Sequence, residues 1–112
     1  MNLRDLTASA PVLTDGAWGT QLQQLGLAGG DCPDHWNLLH PDRVGQVAGA
    51  YVEAGSRVIL TNTFRANRVA LGQYGLAGQA EAINRAGARI SQEAAYGRAL
   101  VFASMEIGRA HV

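Results

Sequence analysis

Ala54-Gly55-Ser56-Arg57-Val58-Ile59-Leu60-Thr61-Asn62-Thr63-Phe64 is an apolar run that stops in a cluster of small polar side chains. Val58, Ile59 and Leu60 are contiguous rather than alternating, which predicts a strand, over about 57–62, covered on both faces as in a parallel sheet. A helical pattern precedes it and ends at Gly55. Helix, glycine stop and buried strand make half of a βα repeat. Thr61, Asn62 and Thr63 then fall at the strand's C-terminal end, the edge where barrels and open α/β sheets carry their sites.

Upstream of that stretch, His40-Pro41-Asp42 opens the helix, with proline near the first helical position, where its missing N–H costs nothing. Val44, Val47, Ala48, Tyr51 and Val52 recur at threes and fours as one buried face. Residues 27–39 contain Gly29-Gly30 and Pro33 and no period, so they read as a long loop over the site. Thr20 to Leu25 predicts a short helix. Pro11 to Asp15 predicts a first strand leaving through Asp15-Gly16, where Gly16 and Gly19 let the backbone turn tightly or approach a ligand.

Downstream, Arg65 to Arg68 reads as a loop or short helix, with a break at Tyr74-Gly75. A regular helix follows over about 78–96. Ala80, Ile83, Gly87, Ile90 and Ala94 form its apolar stripe, and Glu81, Arg85, Arg89 and Glu93 stand four apart on a solvated face. Gly97 ends it, and Leu100-Val101-Phe102-Ala103 starts a third strand. The order strand, helix, strand, helix, strand makes the chain α/β, with right-handed crossovers if the strands are parallel neighbours.

The chain's 112 residues suffice for one modest domain. Nine basic residues, all arginine, balance nine acidic ones, which gives no electrostatic case for nucleic acid or an anionic membrane. No apolar run is long enough to span a bilayer, and the first residues lack the layout of a signal peptide, so a cytoplasmic protein is expected. The single cysteine, Cys32, excludes an internal disulfide and a zinc site built from several thiolates of this chain.

Glu106-Ile107-Gly108-Arg109-Ala110-His111-Val112 breaks the pattern. It back-translates in frame to a common short-read sequencing adapter followed by a stop. Residues 106–112 are therefore expected to be a non-native tail on residues 1–105, and His111 is set aside as a base or ligand.

Asp15, at the end of a buried strand, would bind an ammonium group, act as a base, or cap the turn that follows. The hydroxyls and amide of Thr61, Asn62 and Thr63 would hold a ligand or form a turn. Trp18, Trp36 and Phe64 would wall an apolar pocket or pack in the core. Gly16-Ala17-Trp18-Gly19 departs from a dinucleotide fingerprint, which needs glycine where Thr14 stands. His35 and His40 have no metal-ligand spacing with a second cysteine.

Read together, Leu13-Thr14-Asp15-Gly16-Ala17-Trp18-Gly19-Thr20, Pro41-Asp42-Arg43-Val44, Tyr51-Val52-Glu53-Ala54-Gly55 and Thr61-Asn62-Thr63-Phe64 resemble the homocysteine S-methyltransferase family, over about residues 12 to 105. The resemblance implies the N-terminal portion, about three βα strands, of a (β/α)8 TIM barrel, which takes about 250 residues when whole. It implies methyl transfer from a donor to homocysteine, or to a related thiol or selenol, with zinc on cysteine thiolates binding the sulfur. By position it implies that Asp15 binds the substrate amino group, that Gly16 meets its carboxylate, and that Thr61 and Phe64, with Trp36 as a looser match, line the pocket. The family's zinc cysteines lie on later strands, and Cys32 matches none of them. The chain alone is therefore expected to be inactive, and poorly soluble or partly unfolded. The rival expectation is a small α/β ligand-binding or assembly module, complete in itself and without catalysis.

Overall fold

Val58–Leu60 forms β1 and Leu100–Phe102 forms β2, paired in parallel with Val58 opposite Leu100, Ile59 opposite Val101 and Leu60 opposite Phe102. These features come from a computed structural model of the chain, which describes residues 2, 4 and 12–106. On the other edge of β1, Thr14 forms a single parallel bridge to Val58, with Asp15 N–H donating to Val58 O at 3.0 Å and Val58 N–H to Leu13 O at 3.4 Å. The first strand expected from the sequence is this one bridge; its start at Pro11 lies outside the described residues. β1 thus runs between residues 13–15 and β2.

Among residues 12–106 the helices, in chain order, are α1 Trp18–Gln24, α2 Trp36–Leu39, α3 Pro41–Glu53, α4 Arg68–Gly72 and α5 Ala80–Ala95, with single 3-10 turns at Pro33–His35 and Ala77–Gln79. α3 begins with Pro41 in its first turn, and Asp42 beside it suits the positive end of the helix dipole. It ends in a Schellman motif: Gly55, at φ +103, donates to Val52 O, and Ser56 N–H donates to Tyr51 O. α4 is capped by Asn67, whose Oδ1 accepts Ala70 N–H at 2.8 Å. α5 ends at Tyr96 and Gly97, both at positive φ. On its exposed face the expected i, i+4 pairing is present as Glu81 with Arg85 at 2.6 Å, a surface pair of small energetic weight. No helix among the described residues is long and apolar enough to cross a membrane.

Residues 27–39 differ from the long loop expected. Pro33–His35 and α2 are helical there, in pieces too short to carry a readable period. Trp36 holds them in place, buried in one apolar cluster with Leu22, Leu27, Val44, Val47 and Ile90. A second cluster, Ala48, Val52, Ile59, Ala95 and Ala99, with Val101 packed on it, seals α3 and α5 onto one face of the sheet. A third, Cys32, Ala66, Leu71 and Ile83, closes the space under α4. Because side chains alternate along a strand, Leu60 and Phe102 point away from Ile59 and Val101, and Phe102 is 45% exposed.

Gly87 sets how closely α5 passes behind the end of β1. A Cβ there would lie 2.7 Å from Asn37 Nδ2 and 2.7 Å from Thr63 Cγ2. Neither neighbour yields easily, since Asn37 Nδ2 is held by Asn62 O at 2.8 Å and Ile83 O at 3.1 Å, and Thr63 is buried. Alanine exceeds glycine in helix propensity by about 1 kcal/mol, so a surface glycine replaced here would stabilise. Gly87→Ala is expected to do the reverse, costing about 1–3 kcal/mol by overpacking; the urea unfolding midpoint checks it.

Candidate functional site at the strand tips

Where β1 ends, its last amide on the side of residues 13–15 is received by a side chain. In a ladder continued from the Thr14–Val58 bridge, Leu60 N–H would donate to the Asp15 carbonyl. It donates instead to Asp15 Oδ2, at 2.8 Å. The same oxygen accepts the Trp18 indole N–H at 2.7 Å, so the carboxylate is fixed by a strand on one side and by the start of α1 on the other. Both bonds fall on Oδ2; among the described residues nothing donates to Oδ1. Asp15 does not cap the helix that follows, since α1 has no side-chain cap; its Oδ2 serves the end of β1 and the Trp18 indole instead.

Gly16 follows, pressed against Tyr51: a Cβ would stand 3.0 Å from the phenol oxygen and 3.3 Å from the ring. Tyr51 is held there by donating its hydroxyl to Ala17 O at 3.0 Å, and its ring tilts against Trp18 at 6.4 Å between centroids. Burial, and secondarily the charge of Asp15, push the phenol pKa up.

Thr61 and Thr63 close a ring with the segment after β2. Ser104 N–H donates to Thr61 Oγ1 at 3.2 Å, and Thr63 Oγ1 donates to Ser104 O at 2.8 Å. The two hydroxyls lie 2.5 Å apart. The Thr63 proton is committed to the carbonyl, so Thr61 must be the donor in that contact. Between them, Asn62 turns the other way. Its Nδ2 donates to Asn37 Oδ1 and to Pro33 O, both at 2.9 Å, while Asn37 Nδ2 donates back to Asn62 O. The segment at 33–39 is thereby latched to the strand tip.

One more buried group belongs here. Asp34 is buried and its Oδ2 accepts Arg65 N–H at 3.0 Å. Burial raises its pKa, against the lowering effect of that bond, of a second backbone bond and of the Arg65 charge. The Arg65 side chain is paired with Glu106 at 3.6 Å. Glu106 is the first residue of the expected tail; residues 107–112 lie outside the described residues.

Of the residues singled out from the sequence, Asp15 meets the end of β1 through the Leu60 amide, one residue before Thr61, while the Thr61 hydroxyl faces Thr63 and Ser104. Phe64 is on the rim, 55% exposed, with its carbonyl accepting Glu106 N–H. Trp36 is a layer behind, 5% exposed in the core, with His40 edge-on to its ring at 4.8 Å and the Arg43 guanidinium over it at 5.3 Å. It borders a hollow of about 410 Å³ with Cys32, His40 and Arg43 that includes neither Asp15 nor Thr61. Asn37 and Asp34 were not singled out. Their signal was a pair of small polar residues three apart inside an otherwise aperiodic stretch.

The described residues do not fit a zinc site. No three His, Cys, Asp or Glu side chains among them converge. Burial pushes the Cys32 thiol pKa up, away from the thiolate that a metal ligand must be.

A sequence profile of the homocysteine S-methyltransferase family matches residues 12–111. Methionine synthases of Mycobacterium tuberculosis and Mycobacterium leprae are each 32% identical to the chain over 100 residues, which is 84% of this chain and 8% of theirs. Among solved structures, the homocysteine methyltransferase MmuM from Escherichia coli superposes with a TM-score of 0.80 in its oxidised form, at 21% identity over 93% of this chain and 40% of that one. Its metallated form gives 0.78, at 20% identity over 97% and 42%. The chain thus spans a small part of the curated relatives it matches and under half of the structures it superposes on, and it shares the fold of that part.

Asp34 makes stability depend on pH. A carboxyl whose pKa is higher folded than unfolded destabilises the folded state above the folded value, and that cost fades as pH falls through it. Asp34→Asn keeps an acceptor for Arg65 N–H and has no charge to bury. It is expected to be more stable than the unaltered chain at about pH 7, with the difference shrinking toward about pH 4, the ordinary carboxyl range; urea midpoints across that span check it.

Proposed function

The chain belongs to the homocysteine S-methyltransferase family, and from that membership we propose that the protein it forms part of methylates the sulfur of homocysteine, or of a related thiol or selenol. The bond formed is sulfur to methyl carbon, the bond broken joins the methyl group to its donor, and the thiol proton leaves to solvent. The observation that carries this reading is the Asp15 carboxylate, clamped through Oδ2 by Leu60 N–H and the Trp18 indole beside Thr61. Its Oδ1 then receives the substrate ammonium. The backbone at Gly16 meets the substrate carboxylate.

Thr61 shapes the pocket rather than donating to a ligand, because its proton is spent on Thr63. Phe64 supplies an apolar wall at the rim, whereas Trp36 anchors the 33–39 segment in the core. Zinc is the metal we assign to the whole protein, on residues other than those described here; no step is drawn through it. The partly open sheet face at Phe102 and the 62% exposure of Leu13 support a piece of a larger barrel over a self-sufficient module.

Given homocysteine with S-methylmethionine, betaine or methyltetrahydrofolate, plus zinc, the 112-residue chain is expected to form no methionine; methionine formation above a no-protein control overturns its inactivity. In the complete protein, Asp15→Asn keeps one acceptor for the Leu60 amide but loses the charge facing the ammonium. The loss of a charged hydrogen bond predicts a KM for homocysteine raised about tenfold to a hundredfold with a smaller change in kcat. An unchanged KM removes Asp15 from the site.

A further inference from the structure

Arg65 has no part in that scheme, yet its side chain is poised for one. It follows Phe64 at the exit of β1, and its backbone is pinned by Asp34 Oδ2 at 3.0 Å. Its Nε is shielded from solvent and has no hydrogen-bond partner. The nearest carboxylate, Glu106 Oε2, is 3.6 Å away, close enough for attraction and too far for a hydrogen bond. Glu106 reaches that place because its N–H donates to Phe64 O at 2.9 Å, which lays the segment after β2 across the exit. A guanidinium presents a planar fork of donors matched to a carboxylate, and a fork covered by an acid that does not engage it is an unfilled site. The exposed Phe64 ring next to it in the chain offers an apolar surface for the carbon skeleton of such a ligand.

We propose that Arg65 is a carboxylate-binding residue on the rim of the strand tips, and that Glu106 occupies its place in this chain as an ill-fitting internal substitute. The ligand is a small carboxylate, held by Nε and the terminal nitrogens together. Asp15 lies on the edge of β1 that faces residues 13–15, so carboxylate binding at Arg65 does not depend on the ammonium-binding role of Asp15 and holds whatever reaction the complete protein performs. A tethered acid acts at an effective concentration in the millimolar range and so competes with free ligand.

The test follows the Arg65 Nε–Hε resonance of the nitrogen-labelled chain during titration with sodium acetate, against sodium chloride at equal ionic strength. Glu106→Gly, and Glu106→Gln as the variant that keeps side-chain bulk, are expected to show a saturable shift with acetate alone. The apparent affinity should exceed that of the unaltered chain once the tethered competitor is gone. Arg65→Gln should abolish the saturable response at the Phe64 and Ser104 amides. Equal drift in acetate and chloride, or a saturable response that survives Arg65→Gln, overturns the proposal. Homocysteine in place of acetate separates two sources of the carboxylate: binding tighter by about tenfold assigns the site to the amino-acid substrate itself, and equal binding to a carboxylate on another molecule. Methionine formation is not read, so this outcome and that of the methyl-transfer reading stay distinguishable.

Discussion

A parallel strand that stops inside a protein leaves an amide that must find an acceptor, and the acceptor found here is Asp15. Leu60 N–H donates to Asp15 Oδ2 where a backbone carbonyl would have stood had the ladder continued. That exchange ends the pairing between residues 13–15 and β1, and it brings a carboxylate to the strand tip without leaving a buried donor unpaired. Trp18 donates to the same oxygen, so the start of α1 is fixed by the bond that terminates the sheet. Structural necessity and a candidate site are here the same few atoms.

The residues after Leu60 continue that logic with their side chains. Thr61 and Thr63 tie the tip of β1 to Ser104 beyond β2, and Asn62 ties it to Asn37 and Pro33. Such a fully bonded polar cluster is affordable in a buried place only because each donor has an acceptor. It also needs room, which Gly87 provides by letting α5 run against Asn37 and Thr63, and Gly16 does the same against Tyr51. These two glycines serve close approach, whereas Gly55 and Gly97 serve a positive φ that closes a helix.

Legibility in the sequence follows the range of the forces. Val58 to Leu60, the stripe of α3 and the stripe of α5 are periodic or contiguous apolar patterns, and the structure has elements there within about two residues of those expected. The stops at Gly55 and Gly97 were legible for the same local reason. Residues 33–39 were not, because α2 is four residues long and is held by Trp36 in a core assembled from distant helices. The Asn37–Asn62 latch spans 25 positions, and nothing local distinguishes it from two turn-forming amides. Asp15 was legible as a residue with a choice of roles; its two oxygens, one bound and one with no donor among the described residues, could be told apart only in three dimensions.

How the polar groups are spent constrains what the tip can recognise. The Thr61 and Thr63 protons are committed, the Asn62 amide donates to Asn37 Oδ1 and Pro33 O, and the Asn37 amide donates to the Asn62 and Ile83 carbonyls. What the cluster offers a ligand is therefore shape and rigidity rather than side-chain donors. A carboxylate oxygen held at such a tip is already desolvated on one side and oriented, so binding a cation there requires little rearrangement. Under the proposed roles a cationic ligand group would have a fixed partner in Asp15, while an anionic one would look to backbone amides or to a guanidinium on the rim. That division, a carboxylate on one edge of β1 and an arginine at its exit, suits a ligand carrying both charges better than a neutral one.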